Sequence, residues 1–245
     1  MVERVSGQGE RRAIEDRRGS QTSRHAADGP VAVLWDMDGT LVDTEPYWIE
    51  VETELVAAHG GTWSQADALN LVGNDLIESG RYIREHGGVD LEPAEIVELL
   101  LDGVVEHVRR EVPWRPGALE LLADLQRVGI PCALVTMSYR RFVEPVLDAL
   151  PPGTFQIVVT GDAVQQGKPH PEPYLKAAAL LGVSPADAVA IEDSNTGARS
   201  AEAAGCTVLV IPNHVPVLEG ERRVFADTLP ATWQHLQEVV APPGS

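Results

Sequence analysis

The sequence predicts an α/β protein, a doubly wound parallel sheet with an all-helical domain inserted after its first strand. Short apolar runs rich in β-branched residues alternate with segments whose apolar residues recur at helical spacing. This alternation predicts parallel strands with helices on both faces of the sheet. It stops after the first strand, where only helical patterns follow. We therefore expect a core domain of residues 30–43 and 114–245, and a helical domain of residues 44–113.

Five short runs are expected to form the strands, each followed by a polar or glycine-containing turn. In chain order they are VAVLW, CALVTM, QIVVT, AVAI and TVLVI. The core helices are expected in GALELLADLQRVG, RRFVEPVLDAL, PEPYLKAAALLG and SNTGARSAEAAG, the last of which should end at Gly205. Ligands of such sheets bind at the carboxyl ends of the strands.

The inserted domain is predicted from the helical segments EPYWIEVETELVAAHG, NDLIESGRYIREHGG and PAEIVELLLDGVVEHVRR. It is strongly acidic, because residues 41–113 contain sixteen acidic side chains and four arginines in a chain of formal net charge −18. Solvated helix faces are the usual explanation of such a charge excess. The overall charge argues against nucleic acid as a partner, because binding to phosphates requires clustered lysine and arginine.

Residues 1–29 are expected to be a disordered tail, since they mix six arginines with five acids and show no apolar periodicity. They lack the apolar centre of a secretory signal, and no apolar run approaches the ~20 residues needed to cross a membrane. Cys132 and Cys206 fall within predicted strands, which favours buried, reduced thiols. We expect a cytoplasmic protein with no membrane partner, present as a monomer or weak dimer.

The first predicted strand ends in two aspartates, Asp36 and Asp38, followed by Gly39 and Thr40. If the chain stays extended through Met37, the period of two sends both carboxylates to the same side. Two anions held so close repel each other unless a cation or a proton lies between them. A divalent metal ion is therefore expected here.

Polar side chains also follow the next three strands. Thr136 and Ser138 follow the second strand, Lys168 lies in a turn after the third, and Glu192 and Asp193 end the fourth. Together they suit an anionic substrate with a divalent metal. Lys168 is one of only two lysines among nineteen basic residues, which suggests that a compact ammonium matters in this turn. Taken singly, Thr136 could merely satisfy a backbone group, and Asp193 with the next serine could merely cap a helix.

Two other loop types do not fit the sequence. A calcium loop would need glycine at its sixth position and glutamate at its twelfth, but here the glycine is fourth and Tyr47 is twelfth. A phosphate-binding P-loop would need four residues between its glycines, but five separate Gly161 from Gly167, and Pro169 stands where serine or threonine is required.

Four segments in this order, DMDGT, LVTMS, GKPHPEPY and AIEDSNTGARSAEAAG, resemble the four motifs of the haloacid dehalogenase superfamily. The chain is similar to its branch of sugar phosphatases and β-phosphoglucomutases, which carry a helical cap after the first motif. The resemblance covers about residues 31–240. It implies a Rossmann-like core with a cap that closes over the site.

The resemblance also implies a role for each motif residue. Asp36 would attack phosphorus and form an aspartyl-phosphate, and Asp38 would act as general acid and then general base. Mg²⁺ would be held by the Asp36 carboxylate, the backbone carbonyl of Asp38 and the Asp193 carboxylate. Five further residues would surround these groups. Thr136, Ser138 and Lys168 would hold the phosphate, Asn195 would lie behind the metal ligands, and Glu192 would lie behind them or serve as an alternate ligand.

The implied activity is Mg²⁺-dependent hydrolysis of a small phosphomonoester, a sugar or sugar-alcohol phosphate. A β-phosphoglucomutase-type phosphotransferase and a non-catalytic sugar-phosphate-binding protein remain alternatives. Mutases carry a histidine where Trp48 stands, and an arginine where Leu76 follows Gly73 by three residues. A non-catalytic sensor would be expected to have lost a motif residue, and none is missing here. The cap positions expected to contact substrate are Glu45, Trp48, Arg81 and Arg84.

Overall fold

The computed structural model describes residues 29–71 and 76–241. The described residues form a six-stranded, all-parallel sheet of order β3-β2-β1-β4-β5-β6. The strands are β1 Ala32–Trp35, β2 Cys132–Val135, β3 Ile157–Val159, β4 Ala188–Glu192, β5 Thr207–Val210 and β6 Arg223–Phe225. The predicted doubly wound sheet is confirmed. Strand β6 was not predicted, because its three residues are partly exposed and form no apolar run.

Four helices follow β1 in the described part of the insert, and no strand lies among them. They are α1 Glu45–Ala58, α2 Gln65–Leu69, α3 Leu76–Gly87 and α4 Pro93–Arg110. The two chain segments that enter and leave the insert run side by side, since Asp43 N donates to Pro113 O and Arg115 N donates to Leu41 O. The exact domain boundaries, 43/44 and 113/114, stay a prediction.

The core helices cover both faces of the sheet. They are α5 Ala118–Val128, α6 Arg140–Asp148, α7 Glu172–Leu181, α8 Asn195–Ala204 and α9 Trp233–Val240. Strand β1 divides its side chains between two buried clusters, with Val33 and Trp35 in one and Ala32 and Leu34 in the other. Helix α8 ends as predicted, at Gly205 with φ +99°.

The N-terminal tail and the two cysteines were also predicted from the sequence. The predicted tail lies almost wholly in residues 1–28, outside the described residues. Cys132 and Cys206 are buried and free, as predicted, and burial raises the pKa of each thiol to about 12. Among the described residues, no helix combines the length and the apolar character that a membrane crossing requires.

Candidate active site

The carboxyl end of β1 presents the two aspartates to one cavity. Met37 packs with Val33 and Trp35 in the larger buried cluster, while Asp36 and Asp38 both line the cavity. The alternation of the strand thus continues past its last residue, as the period of two predicts. Two carboxylates consequently reach the same space from one short segment.

The turn after β1 lies directly against the end of β4. Gly39 has φ +86°, and a side chain there would collide with the Asp193 carboxylate. Thr40 Oγ1 lies 3.5 Å from Asp193 Oδ1. Only glycine fits at this turn, because it has no side chain. The space this leaves lets Asp193 approach the β1 aspartates.

Lys168 is the buried cation of the site. Its Nζ donates to Asp36 Oδ1 at 2.6 Å and to Glu192 Oε1 at 2.7 Å, and its side chain is 4% exposed. Nζ also lies 5.0 Å from the centre of the Tyr174 ring. Burial alone would lower the pKa of Lys168, but the two carboxylates outweigh burial and raise it above its usual range. The amine therefore stays protonated and holds β1, β4 and the GKPHPEPY turn together.

Glu192 is held by donors on both of its oxygens. Tyr174 Oη donates to Oε1 at 2.6 Å, beside Lys168, and Ser194 Oγ lies 3.2 Å from Oε2. A side chain at Gly197 would collide with this carboxylate. Ser194 also caps helix α8, because its Oγ accepts a hydrogen bond from Gly197 N. The alternative that this segment caps a helix is therefore correct for Ser194. Because its oxygens are occupied by donors, Glu192 is suited to anchoring Lys168.

Negative charge exceeds positive charge in this cluster. Oxygens of Asp36, Glu192 and Asp193 lie within 4.8 Å of one another, and all three residues are buried. Burial raises the pKa of Asp36 to about 7; Glu192 and Asp38 add to the rise, and Lys168 opposes it. Burial, with Asp36 and Glu192, raises the pKa of Asp193 to about 9. One ammonium does not balance these carboxylates, and their hard oxygen donors fit a divalent cation such as Mg²⁺.

Asp38 is surrounded by hydroxyl groups. Thr44 Oγ1 donates to Oδ1 at 2.7 Å, Ser138 Oγ donates to Oδ2 at 2.6 Å, and Thr136 Oγ1 lies 3.4 Å from Oδ2. Thr136 Oγ1 also accepts a hydrogen bond from Ser138 N. The alternative that Thr136 satisfies a backbone group is therefore partly correct. Burial raises the pKa of Asp38 above its usual range, although the hydroxyl hydrogen bonds oppose this. The structure thus gives Asp38 an environment different from that of Asp36, which is bound to Lys168.

A cavity of about 550 Å³ lies between the strand ends and the insert. The strand-end side contributes the predicted aspartates, Thr136, Ser138 and Lys168. The insert contributes one face of α1 and apolar residues, and the loop after β5 contributes His214. Among the described lining residues, Lys168 and His214 are the only basic side chains. Residues 72–75, which lie outside the described part, contain no basic residue in the sequence.

Two of the predicted substrate contacts line this cavity, namely Glu45 and Trp48. Burial raises the pKa of Glu45 to about 7; His214 lowers it, and Asp38 adds to the rise. Trp48 also packs edge-on against Phe142 of α6, with ring centres 5.8 Å apart. Trp48 therefore joins the insert to the core while it lines the cavity.

Arg81 and Arg84 do not line the cavity and instead border a separate surface groove on the insert. Arg81 is exposed and pairs with Glu78, and Arg84 pairs with Glu92 at 3.0 Å. Both arginines project from α3 away from the face that meets the cavity. The structure does not bring these two predicted contacts to the site.

Two other predicted positions have separate outcomes. Asn195 lines the cavity, but its side chain binds backbone, since Nδ2 donates to Pro216 O and Oδ1 accepts from Leu218 N. It fastens the loop after β5 and does not contact a carboxylate through these bonds. Leu76 lines the cavity, whereas Gly73 lies outside the described residues.

The cavity lining also includes residues that the sequence did not single out, among them Thr44, Glu52, Ser79 and His214. Thr44 precedes α1 and could have been found from the TEP sequence, which marks a helix start. Glu52 follows Trp48 by one helical turn, so its spacing was a usable signal. His214 contacts Asp43 Oδ1 at 2.7 Å, and no local pattern predicts this contact between segments so distant in sequence.

Residues 33–211 match the family model of haloacid dehalogenase-like hydrolases. Hexitol phosphatase B of Escherichia coli is 31% identical over 202 residues, which are 80% of this chain and 90% of that protein. Phosphoglycolate phosphatase 1 of Pseudomonas aeruginosa is 32% identical over 216 residues, which are 82% of this chain and 77% of that protein.

A solved structure extends the likeness to the whole fold. The crystal structure of a mutant form of CbbY from Rhodobacter sphaeroides, in complex with xylulose-1,5-bisphosphate, superposes with a TM-score of 0.72. It is 29% identical, and the match covers 81% of this chain and 94% of that chain.

Proposed function

We propose that this chain, which belongs to the haloacid dehalogenase-like hydrolases and is a phosphoric monoester hydrolase, acts on a sugar or sugar-alcohol phosphate with the help of Mg²⁺. The observation that carries the proposal is the buried cluster of Asp36, Glu192 and Asp193 around one lysine, open to a cavity beside Asp38.

The metal would be held by the carboxylates of Asp36 and Asp193 and by the backbone carbonyl of Asp38. These are hard oxygen donors, and the cluster of possible ligands among the described residues contains no cysteine, which favours Mg²⁺ over softer metals. When bound, Mg²⁺ would neutralise the excess charge of the cluster and screen the approach of a phosphate dianion.

Asp36 would be the nucleophile. One of its oxygens attacks phosphorus, the bond between phosphorus and the leaving oxygen breaks, and an aspartyl-phosphate forms. Lys168 supports this assignment because it keeps Asp36 oriented and reduces the charge repulsion between the carboxylate and the substrate. Thr136 and Ser138, beside Asp38 at the end of β2, would hold phosphoryl oxygens.

Asp38 would transfer the protons. It gives its proton to the leaving oxygen, and it later takes a proton from the water that attacks the aspartyl-phosphate and regenerates Asp36. Two features support this role: the raised pKa of Asp38 favours the protonated form, and Thr44 and Ser138 fix its orientation.

The cavity supports a neutral leaving group. Hexitol phosphatase B acts, by its name, on hexitol phosphates, whereas CbbY binds a bisphosphate and phosphoglycolate carries a carboxylate. A second anion would need a cation on the insert side, and the described insert residues that line the cavity provide none. Thr44 there binds Asp38, and the other polar side chains of the insert that line the cavity are Glu45, Trp48, Glu52 and Ser79, which suit hydroxyl groups.

A phosphate-release panel tests this function in the intact enzyme. Sorbitol 6-phosphate, glucose 6-phosphate, phosphoglycolate and xylulose 1,5-bisphosphate are supplied with and without Mg²⁺. We expect Mg²⁺-dependent release from the first two substrates at rates at least tenfold above the last two. Preference for phosphoglycolate or the bisphosphate would overturn the proposed substrate class.

The mutase alternative has its own test. Trp48 and Leu76 both line the cavity, in the positions where mutases carry histidine and arginine. Without those groups we expect water to take the phosphoryl group. With β-glucose 1-phosphate and a trace of glucose 1,6-bisphosphate, efficient formation of glucose 6-phosphate without phosphate release would contradict hydrolysis. Absence of turnover on every phosphoester would instead favour the non-catalytic sensor.

A further inference from the structure

One face of α1 is directed into the cavity. Glu45, Trp48 and Glu52 follow one another at spacings of three and four residues, which places them in one row along the helix. All three line the cavity. The row therefore presents two carboxyl groups with an indole ring between them, on the side opposite the strand ends.

Glu52 is the most deeply buried residue of this row, with 4% of its surface exposed. Trp63 Nε1 donates to Glu52 Oε2 at 3.1 Å. The Trp63 ring is itself fixed by Tyr82, whose ring meets it edge-on at 5.9 Å. Among the described residues, Trp63 is the hydrogen-bond partner of Glu52. Oε1 of Glu52 does not belong to the fully buried polar atoms that lack a hydrogen bond. Oε2 is thus anchored, whereas Oε1 has no hydrogen bond among the described residues and is not fully buried, so it can meet a group that enters the cavity lined by Glu52.

The neighbouring cavity wall is apolar. Leu71, Leu76 and Leu100 line the cavity together with Glu52, and Leu100 is only 1% exposed. A polar group in such surroundings costs free energy unless it finds a partner. An apolar residue would fill this position at lower cost if packing were its only purpose, and an anchored carboxyl group aimed at a ligand explains the glutamate.

We propose that Glu52, oriented by Trp63, is a specificity-determining residue that hydrogen-bonds a hydroxyl group of the leaving group. Trp48, one turn away, would cover the carbon face of the same group. This inference rests on the proposed sugar or sugar-alcohol phosphatase function. It places the recognition of hydroxyl groups on the insert and leaves phosphate binding to the strand ends.

The charge state of Glu52 favours a neutral hydroxyl over an amine. Burial raises the pKa of Glu52 to about 8; the Trp63 hydrogen bond lowers it, and Glu45 adds to the rise. The raised pKa favours the protonated carboxyl group, which can both donate and accept a hydrogen bond. An ammonium group would gain little from an uncharged carboxyl group, whereas a hydroxyl group can use both of its functions.

The test compares two substrates in the full-length enzyme with Mg²⁺. Sorbitol 6-phosphate carries hydroxyl groups on its leaving group, and p-nitrophenyl phosphate carries none. Glu52→Leu should lower kcat/KM for sorbitol 6-phosphate about 30-fold and change it less than threefold for p-nitrophenyl phosphate. Glu52→Gln, which keeps a donor and an acceptor, should restore most of the loss.

Two further variants separate recognition from a structural effect. Trp63→Phe keeps an aromatic ring but removes the indole N–H. It should lower the ratio of kcat/KM for sorbitol 6-phosphate to kcat/KM for p-nitrophenyl phosphate about tenfold. This variant carries the test if Glu52→Leu does not fold. Glu54→Leu is the matched control, because Glu54 is exposed on the same helix and should leave the ratio unchanged.

The outcomes are distinguishable from failure of the proposed function. Wild-type enzyme that hydrolyses p-nitrophenyl phosphate but no sugar or sugar-alcohol phosphate would overturn the substrate class and this inference together. Wild-type enzyme active on sorbitol 6-phosphate, with an unchanged ratio in Glu52→Leu and Trp63→Phe, would overturn the inference alone. An equal loss on both substrates would assign Glu52 a structural role and overturn the inference as well.

Discussion

The two sides of the cavity are built in different ways. At the strand ends, charged side chains from three separate segments bind one another, as Lys168 binds Asp36 and Glu192. On the insert, a single helix presents Glu45, Trp48 and Glu52 in one row, and Trp63 anchors one of them. The strand-end side chains hydrogen-bond one another, although their negative charge is in excess. On the insert, one oxygen of Glu52 is left to bind a ligand.

This difference separates chemistry from selectivity. In the proposed function, groups at the strand ends would contact the phosphate, which is common to every substrate, so their loss should affect all phosphoesters alike. Groups on the insert would contact only the part of the substrate that varies, so their loss should change the order of preference.

The largest effect is expected for Asp36→Asn. The amide keeps the shape of the side chain but is not a nucleophile, so phosphate release should fall by about 10⁴-fold or more on every substrate. Steady-state kinetics with sorbitol 6-phosphate and p-nitrophenyl phosphate measure the loss, and circular dichroism checks the fold. Substantial activity in folded Asp36→Asn would point to direct attack by water.

Asp38→Asn should have an effect that depends on the leaving group. Sorbitol needs a proton as it leaves, so its phosphate should lose about 10³-fold in kcat. p-Nitrophenolate leaves without a proton, and its ester should lose much less in the first step. A pre-steady-state burst on p-nitrophenyl phosphate would be the readout, and equal losses for both esters in the first step, the formation of the aspartyl-phosphate, would contradict the general-acid role of Asp38.

The excess charge of the strand ends predicts a pH effect on stability. The metal-free fold raises the pKa of Asp36 from 3.8 to about 7 and that of Asp193 from 3.8 to about 9, so the folded state keeps protons that the unfolded state loses. The free energy of unfolding should therefore fall as pH rises from about 4 to 9, with the thermal midpoint dropping by several degrees.

Magnesium should reverse this loss, and more strongly at pH 8 than at pH 5, because it binds the ionised carboxylates. Thermal melts with chelator and with Mg²⁺ at both pH values measure the difference. An equal Mg²⁺ effect at both values, or none, would contradict a metal site at Asp36 and Asp193.

The smallest effect is expected for Arg81→Ala. Arg81 borders a surface groove away from the cavity and forms an exposed ion pair with Glu78, a type of pair that contributes little to stability. Less than a twofold change in kcat/KM is expected for both sorbitol 6-phosphate and xylulose 1,5-bisphosphate. A larger change on either substrate would assign part of the selectivity to the α3 surface.

The strand-end residues could be predicted because their signals are local. Asp36 and Asp38 end an apolar run, and Glu192 and Asp193 end another, so sheet topology alone brings these pairs to one edge. Lys168 needed the resemblance as well, because it lies in a turn without regular structure.

The insert was harder to predict because its residues reach the cavity through tertiary packing. On α3, Leu76 and Ser79 face the cavity at a spacing of three residues, while Arg81 falls on the other side of the helix. The sequence identified the helix but did not say which face would be buried. His214 likewise reaches the site through a contact with Asp43, which is distant in sequence, whereas Thr44 had a local signal at the start of α1.

A phosphoryl group trapped on Asp36 would be the clearest evidence for the aspartyl-phosphate mechanism. Enzyme with Mg²⁺ and sorbitol 6-phosphate is quenched in acid during turnover, digested and analysed by mass spectrometry. We expect one added phosphoryl group on the peptide that contains Asp36, and none in Asp36→Asn. Phosphate on another residue, or no phosphopeptide under conditions in which p-nitrophenyl phosphate gives a burst, would contradict this mechanism.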